Sequence, residues 1–326
     1  MSDIPPAAMA HGGSAGAAAG QTVIASDFVI RRTELTCPGH NLKMMAKAAA
    51  ANADQVMFDL EDACAVSQKV AARQTVIEAL RTLDFGARIR AFRPNGVHTH
   101  FFYRDVIEVI EAAGHVVDVL VIPKVYGAEE VLFADRLLSQ IEEHIGLPIG
   151  RIKLEVLIES ADAVLHAEAI AKCTRRMGGL IFGLVDYAGD IGARELGNEQ
   201  FFYYNYAKAK TIAAARAAGI TCVDGVTLAI RDLEACRRDA QMAARMGFDG
   251  KWAIHPQQLE VINAAFTPTA EEIAHAVRII EAYERADVEL GAGAIVVDDQ
   301  MIDAASLRVE WKRVAIARRA GLLAGG

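Results

Sequence analysis

A chain of 326 residues, 53% of them hydrophobic, can bury a sizeable core, and its length suits one large α/β domain or two smaller ones. A formal net charge of −8 excludes a general affinity for nucleic acid or an anionic membrane surface, both of which need concentrated basic charge. No apolar run approaches the roughly 20 residues that span a bilayer, and the N-terminus lacks the basic start and apolar core of a secretory signal, so the expected compartment is the cytoplasm.

In chain order, the first 22 residues, opening MSDIPPAAMAHGGSAGAAAG, are rich in Ala, Gly and Pro without a periodic apolar face and predict a flexible tail. From Val23 the chain alternates short β-rich runs with Ala-rich segments of helical spacing, the pattern of a parallel sheet with crossover helices. The β-rich runs are VIRRTEL, QVMFDLED, RIRAFRP, DVLVIPK, KLEVLIES, GLIFGLVD, ITCVDGV and GKWAIHP. Between them lie amphipathic stretches such as VAARQTVIEALRTL, YRDVIEVIEAA and RDLEACRRDAQMAARMG, each long enough for a helix. Eight such units predict an α/β (β/α)8 TIM barrel over residues 23–256, with its chemistry where the strands end.

The endings are Arg31/Arg32, Asp59/Glu61/Asp62, Arg93, Lys124, Glu159, Asp186, Asp224 and His255. Each is ionisable, whereas a barrel built only for stability has no use for charge at all eight places. Any single one is open to a second reading as a helix cap or a solvated rim charge. The five cysteines are scattered and never form a Cys-x-x-Cys pair, so they predict reduced, packed thiols, Cys37 included.

After Pro256 the alternation stops, and residues 257–326 predict a C-terminal cap or arm. TPTAEEIAHAVRIIEAYERA reads as a helix whose Thr269 and Glu272 fit a capping box. LGAGAIVVDDQMID reads as a hairpin with an acidic tip, followed by a last helix from about Ala304 to Ala320. An arm of this kind, beyond a finished barrel, can reach the open face of a neighbouring subunit.

Glu159 and Asp186 end consecutive strands and so face one mouth, where two carboxylates share either a proton or a cation. An oxygen-only pair suits Mg2+, or Mn2+, with positions left for water or substrate oxygens. Asp186 is also placed to cap the following turn. Asp59, Glu61 and Asp62 read as a second layer that orients metal-bound water and the Arg or Lys side chains, with Asp62 equally suited to the acidic first turn of a helix. Arg32 and Arg93 are planar cations for carboxylate or enolate-like oxygens, or else bridges to the acidic trio. Lys124 and His255 read as substrate contacts at the mouth, His255 alternatively as a lock on the last turn. His98 and His100 read as loop-shaping, and no glycine-rich phosphate cradle follows any strand.

With these residues in place, the chain resembles the citrate lyase β-subunit and malyl-CoA lyase family of Mg2+-dependent acyl-CoA lyases. The likeness rests, in order, on RRTELTCPGHN, VMFDLEDACA, FRPNGVHTHFFYRD, VIPKV, EVLIES, FGLVDYAGDIG, GFDGKWAIHP and DDQMIDAAS, which together cover about residues 30–310. The resemblance implies that Arg32 binds the keto-acid carboxylate, Arg93 steadies the developing enolate, and Glu159 and Asp186 hold Mg2+. It further implies that Asp303, in QMID, is the acid/base group, delivered from a neighbouring subunit of a homotrimer or homohexamer. The implied reaction is reversible Claisen cleavage of a β-hydroxyacyl-CoA such as malyl-, citramalyl- or citryl-CoA, giving a keto acid and an acyl-CoA. Two alternatives are a thioesterase acting on the same kind of substrate and a citrate lyase β subunit, with α and γ partners, acting on a carrier-protein thioester.

Overall fold

The structure is a computed structural model and describes residues 30–194, 196, 201–291 and 293–323. The expected flexible tail, residues 1–22, lies outside the described residues. Two compact units divide the chain, one over Arg31–Phe266 and the other holding Thr267–Gly326. The first therefore extends past Pro256, because the helix Gln258–Ala265 packs on its first and last strands.

In the larger unit, β1 (Thr33–Pro38), β2 (Gln55–Asp59), β3 (Ile89–Arg93), β4 (Val119–Ile122), β5 (Lys153–Ile158), β6 (Met177–Phe182), β7 (Thr221–Asp224) and β8 (Gly250–Ala253) close into a barrel in sequence order. Every neighbouring pair is parallel, β8 with β1 included. The strands read as apolar runs because both of their faces are buried. Met57, Ala91, Val121, Leu157, Ile181 and Trp252 fill the interior, while Leu35, Phe58, Phe92, Leu120, Val156 and Phe182 belong to the layer shared with the helices. With its helices between the strands, this is a TIM-barrel α/β fold.

Ten helices of this unit are described: α1 (Leu42–Ala50), α2 (Lys69–Thr82), α3 (Phe102–Ala113), α4 (Ala128–His144), α5 (Ala161–Leu165), α6 (Ala167–Lys172), α7 (Leu184–Asp190), α8 (Phe201–Ala218), α9 (Leu233–Met246) and α10 (Gln258–Ala265). The bounds of α9 follow from local chemistry. Asp232 caps its start by accepting from the Ala235 amide, and Gly247 ends it in the left-handed region at φ 109°, where a Cβ would be strained. Ala235, Cys236, Asp239, Ala240 and Ala243 form its buried stripe.

β1 corrects the expectation that Arg31 and Arg32 close the first strand, because they open it. The Lys251 amide already donates to the Arg32 carbonyl at 2.9 Å, and the strand continues from Thr33 to Pro38. Arg32 is drawn sideways to Asp54, just ahead of β2, through its Nε (2.9 Å) and Nη2 (2.8 Å). Arg31 pairs with Glu155 at the barrel floor, where Gln55 Nε2 also donates to Glu155 Oε2 at 2.7 Å. Glu34, fully buried in the same layer, has neither carboxyl oxygen in a hydrogen bond among the described residues, and burial pushes it up to about 7 against the pull of Arg31. Asp224 is likewise committed to structure, bridging Lys208 (2.7 Å) on α8 and Lys251 (2.8 Å) on β8.

The second unit contains α11 (Ala270–Leu290), the antiparallel pair β9 (Ala294–Val297) and β10 (Gln300–Asp303), and α12 (Ala304–Arg319). Thr269 and Glu272 form the expected capping box. Ala276, Ile279, Ile280, Ile302, Leu307 and Val314 make its core. Asp298 and Asp299 turn the hairpin at φ 50° and 61°, the positive angles that a two-residue type I′ turn requires. Ile295 and Ile302 pair on the face toward the core, so Val296, Met301 and Asp303 share the opposite face, on which Val296 and Met301 are exposed.

Candidate active site at the barrel mouth

β2 and β3 end in register, with Asp59 directly opposite Arg93. Arg93 donates from Nε to Asp59 Oδ1 (2.8 Å) and from Nη2 to Oδ2 (2.6 Å), a bidentate pair in which Asp59 is fully buried. Asp59 also accepts from the amides of Glu61 (2.8 Å) and Ala63 (2.9 Å), which turn the following loop back over the barrel. Arg93 reaches Glu61 at 3.2 Å and lies over the Trp252 ring at 5.3 Å. Burial opposes its charge, but Asp59, with Glu61 and Glu159, outweighs burial and holds the guanidinium above its ordinary value.

Pro123 and Lys124 follow β4. Lys124 has φ 52°, unusual for a residue with a side chain, and its amide donates to Glu159 Oε1 at 2.6 Å. Its ammonium lies 2.6 Å from Glu61, 3.0 Å from Asp62 and 3.8 Å from Asp186. Burial opposes ionisation of Asp62, yet the ammonium, bonded to both of its oxygens, keeps it below its ordinary value. Glu61 is raised, chiefly by burial.

Glu159 leaves the end of β5 and is only 3% exposed, whereas the Asp186 side chain, in the first turn of α7, is 39% exposed. Burial, reinforced by the charge of Asp186, pushes Glu159 up to about 8. Gly183 gives the carboxylate its room: a Cβ there would lie 2.6 Å from Glu159 Oε2.

The structure thus brings Asp59, Glu61, Asp62, Arg93, Lys124, Glu159 and Asp186 together. Arg32 is not among them, being bound to Asp54 at the opposite, N-terminal end of the strands. His255 follows β8, half-buried, with Nδ1 accepting from the Gln257 amide (3.2 Å), which leaves only Nε2 for a ligand. His98 and His100 are exposed, His98 edge-on to Tyr126. Cys37 is buried and its thiol is pushed up to about 12 by burial, which suits packing rather than nucleophilic attack.

Beneath the loop after β2 lies a support that the sequence reading missed. Lys69, buried at the start of α2, donates to the carbonyls of Leu60 (3.0 Å) and Glu61 (2.6 Å) and to Asn95 Oδ1 (2.5 Å). Asn95 donates onward to Asp105 (2.6 Å), which Arg73 holds at 2.7 Å. The only hint is the position of Asn95, two residues past Arg93 in FRPNG.

Asp303 lies in the second unit as the N-cap of α12. Its Oδ1 accepts from the amides of Ala305 (3.0 Å) and Ser306 (2.8 Å) and shares a 3.0 Å contact with the Ser306 hydroxyl, bonds that hold the carboxyl below its ordinary value.

Charge decides what the mouth can accept. Five carboxylates, Asp59, Glu61, Asp62, Glu159 and Asp186, face two cations, Arg93 and Lys124. A divalent cation would relieve the excess, and the all-oxygen pair of Glu159 and Asp186 suits a hard ion. Among the described residues no set of three or more His, Cys, Asp or Glu side chains is placed to hold a metal ion by itself.

The chain is similar to known proteins over most of its length. The family model for HpcH/HpaI aldolase/citrate lyase matches residues 32–256. The L-malyl-CoA/beta-methylmalyl-CoA lyase of Cereibacter sphaeroides is 37% identical over 292 residues, 85% of this chain and 91% of that protein. The citrate lyase subunit beta of Leuconostoc mesenteroides subsp. cremoris is 36% identical over 84% of this chain and 89% of its own. A (3S)-malyl-CoA thioesterase of Cereibacter sphaeroides is 34% identical over 90% of this chain and 96% of its own. The structure of CitE from Mycobacterium tuberculosis in complex with magnesium, acetoacetate and coenzyme A has a TM-score of 0.72 at 28% identity, covering 90% of this chain and 98% of that one. With a family model that matches residues 32–256 and a relative 37% identical over 85% of the chain, the chain belongs to the HpcH/HpaI aldolase/citrate lyase family.

Proposed function

We propose that this carbon–carbon lyase cleaves a β-hydroxyacyl-CoA of the malyl-, citramalyl- or citryl-CoA kind, reversibly and with Mg2+ or Mn2+, into a keto acid and an acyl-CoA. The observation that carries the proposal is the Glu159–Asp186 pair, one carboxyl pushed up to about 8 by burial and its neighbour, set beside an arginine locked on Asp59. The lyase relatives and the magnesium in the CitE complex support the same reading.

Glu159 and Asp186 would hold the metal, which, when bound, polarises the carbonyl that the β-hydroxyl becomes. Arg93 keeps N–H donors beyond those taken by Asp59 and Glu61, and they stabilise the enolate oxygen of the acyl-CoA as the carbon–carbon bond breaks. Asp303, whose cap hydrogen bonds favour the ionised form, removes the α-proton of the acyl-CoA in the condensation direction, and in cleavage the proton lost by the β-hydroxyl passes through the same carboxyl to the α-carbon. It reaches the mouth from a neighbouring copy of the chain in a homotrimer or homohexamer, carried on the hairpin face where Val296 and Met301 lie exposed. Lys124 and the free Nε2 of His255 flank the substrate. Arg32, bound to Asp54 at the far end of the strands, has no place in this mechanism.

The thioesterase relative favours a second reading, in which water captures the same thioester. Purified protein with Mg2+ and a panel of malyl-, citramalyl- and citryl-CoA decides between the two by mass spectrometry. A keto acid plus a shortened acyl-CoA is expected. Free CoA with the intact hydroxy acid would make the protein a hydrolase.

A further inference from the structure

Lys124 contacts the acidic cluster in two different ways. Its backbone amide is fixed on Glu159 Oε1 at 2.6 Å by a turn held at φ 52°, while its ammonium, on a flexible stem and 29% exposed, spans Glu61, Asp62 and Asp186. The contacts are graded: 2.6 Å to Glu61, 3.0 Å to Asp62 and 3.8 Å to Asp186, so the longest is the one to Asp186, the partner of Glu159 in the all-oxygen pair. The main-chain contact does not depend on the identity of the side chain, and the ammonium can withdraw from Asp186 without leaving Glu61 and Asp62.

We propose that Lys124 is the exchangeable counter-ion of the barrel mouth: its ammonium balances the carboxylates in the metal-free protein, gives up Asp186 when a divalent cation binds, and thereby sets the affinity for that cation. The inference rests on the reading that Glu159 and Asp186 hold the metal. Metal and ammonium compete for one carboxylate and repel each other at short range in a partly buried site, so removing the ammonium tightens metal binding. A lysine that served only to build the site would act in the opposite sense, its loss scattering the carboxylates and weakening binding.

The test measures Mn2+ affinity of chelator-stripped full-length protein by electron paramagnetic resonance and Mg2+ affinity by calorimetry. Lys124→Gly keeps the amide on Glu159 and suits φ 52°, and Lys124→Arg keeps the charge. Lys124→Gly is expected to bind both ions roughly 10-fold more tightly than the native chain. Lys124→Arg is expected to stay within about threefold of it. In chelator, Lys124→Gly melts lower than the native protein, and saturating Mg2+ closes the gap. Affinity in Lys124→Gly equal to or weaker than native overturns the inference. Glu159→Gln separates the two levels: if it binds metal as the native chain does, the metal-site reading itself fails.

Discussion

Asp59 and Glu34 are both fully buried carboxylates of the barrel interior, yet they differ in what surrounds them. Asp59 accepts from Arg93 and from two amides, so its charge is satisfied and the guanidinium is aimed. Asp59→Asn can no longer match the bidentate fork and should lower kcat about 100-fold or more with a smaller change in KM, the signature of a contact made in the transition state; a KM effect alone would contradict this role. Glu34 has no such partners and sits among Arg31, Gln55 and Glu155 at the floor. Its carboxyl is raised from 4.5 to about 7, so the folded chain binds the extra proton and stability falls as pH rises from about 4.5 through 7. The full cost, on the order of 3 kcal/mol, is present above that range and absent below it. Glu34→Gln should therefore be more stable than the native protein in urea denaturation at pH 8, with little difference at pH 4.5. An equal difference at both would show that Glu34 does not titrate there.

At the scale of elements, the hairpin carries a strain that a substitution can relieve. Asp298 and Asp299 both take positive φ, and Asp298 also holds Arg278 at 2.6 Å, whereas no ion pair is described for Asp299. Asp299→Gly gives the Asp-Gly pair that a type I′ turn prefers and should stabilise the cap by about 0.5–1 kcal/mol in thermal denaturation. A lower melting temperature would mean that Asp299 is held by more than its backbone. The strand ends behave differently from one another for a similar local reason. Asp59 and Arg93 meet because their strands are in register, while Asp224 turns away from the mouth because two buried lysines claim it.

For the whole molecule, the barrel was legible in the sequence because a strand buried on both faces must be a short apolar run, and eight such runs separated by amphipathic stretches leave few folds. Glu159 could be read as a candidate for the mouth because a carboxylate near the end of KLEVLIES has no solvent-facing excuse, and the structure sets it there. VIRRTEL misled because a charge within an apolar run has no visible direction; only pairing with β8 and Asp54 shows that Arg32 opens the strand. Lys69 and Asn95 were illegible because their bonds cross loops whose approach depends on the closed barrel. The assembly carries its own prediction. Glu159→Gln and Asp303→Asn should each be inactive, yet mixing them under subunit exchange should restore a fraction of activity if each cap serves a neighbouring barrel. No recovery would place Asp303 over its own barrel.

The central claim is that the carboxylates of the barrel mouth hold a divalent cation for carbon–carbon cleavage. The most direct measurement follows keto-acid release from malyl-, citramalyl- and citryl-CoA by chelator-stripped protein before and after Mg2+ is restored, with Glu159→Gln alongside. The account predicts release from at least one substrate only when Mg2+ is present, together with one equivalent of acyl-CoA, and loss of at least about 1,000-fold in Glu159→Gln. Release that persists in chelator, or an active Glu159→Gln, would contradict it.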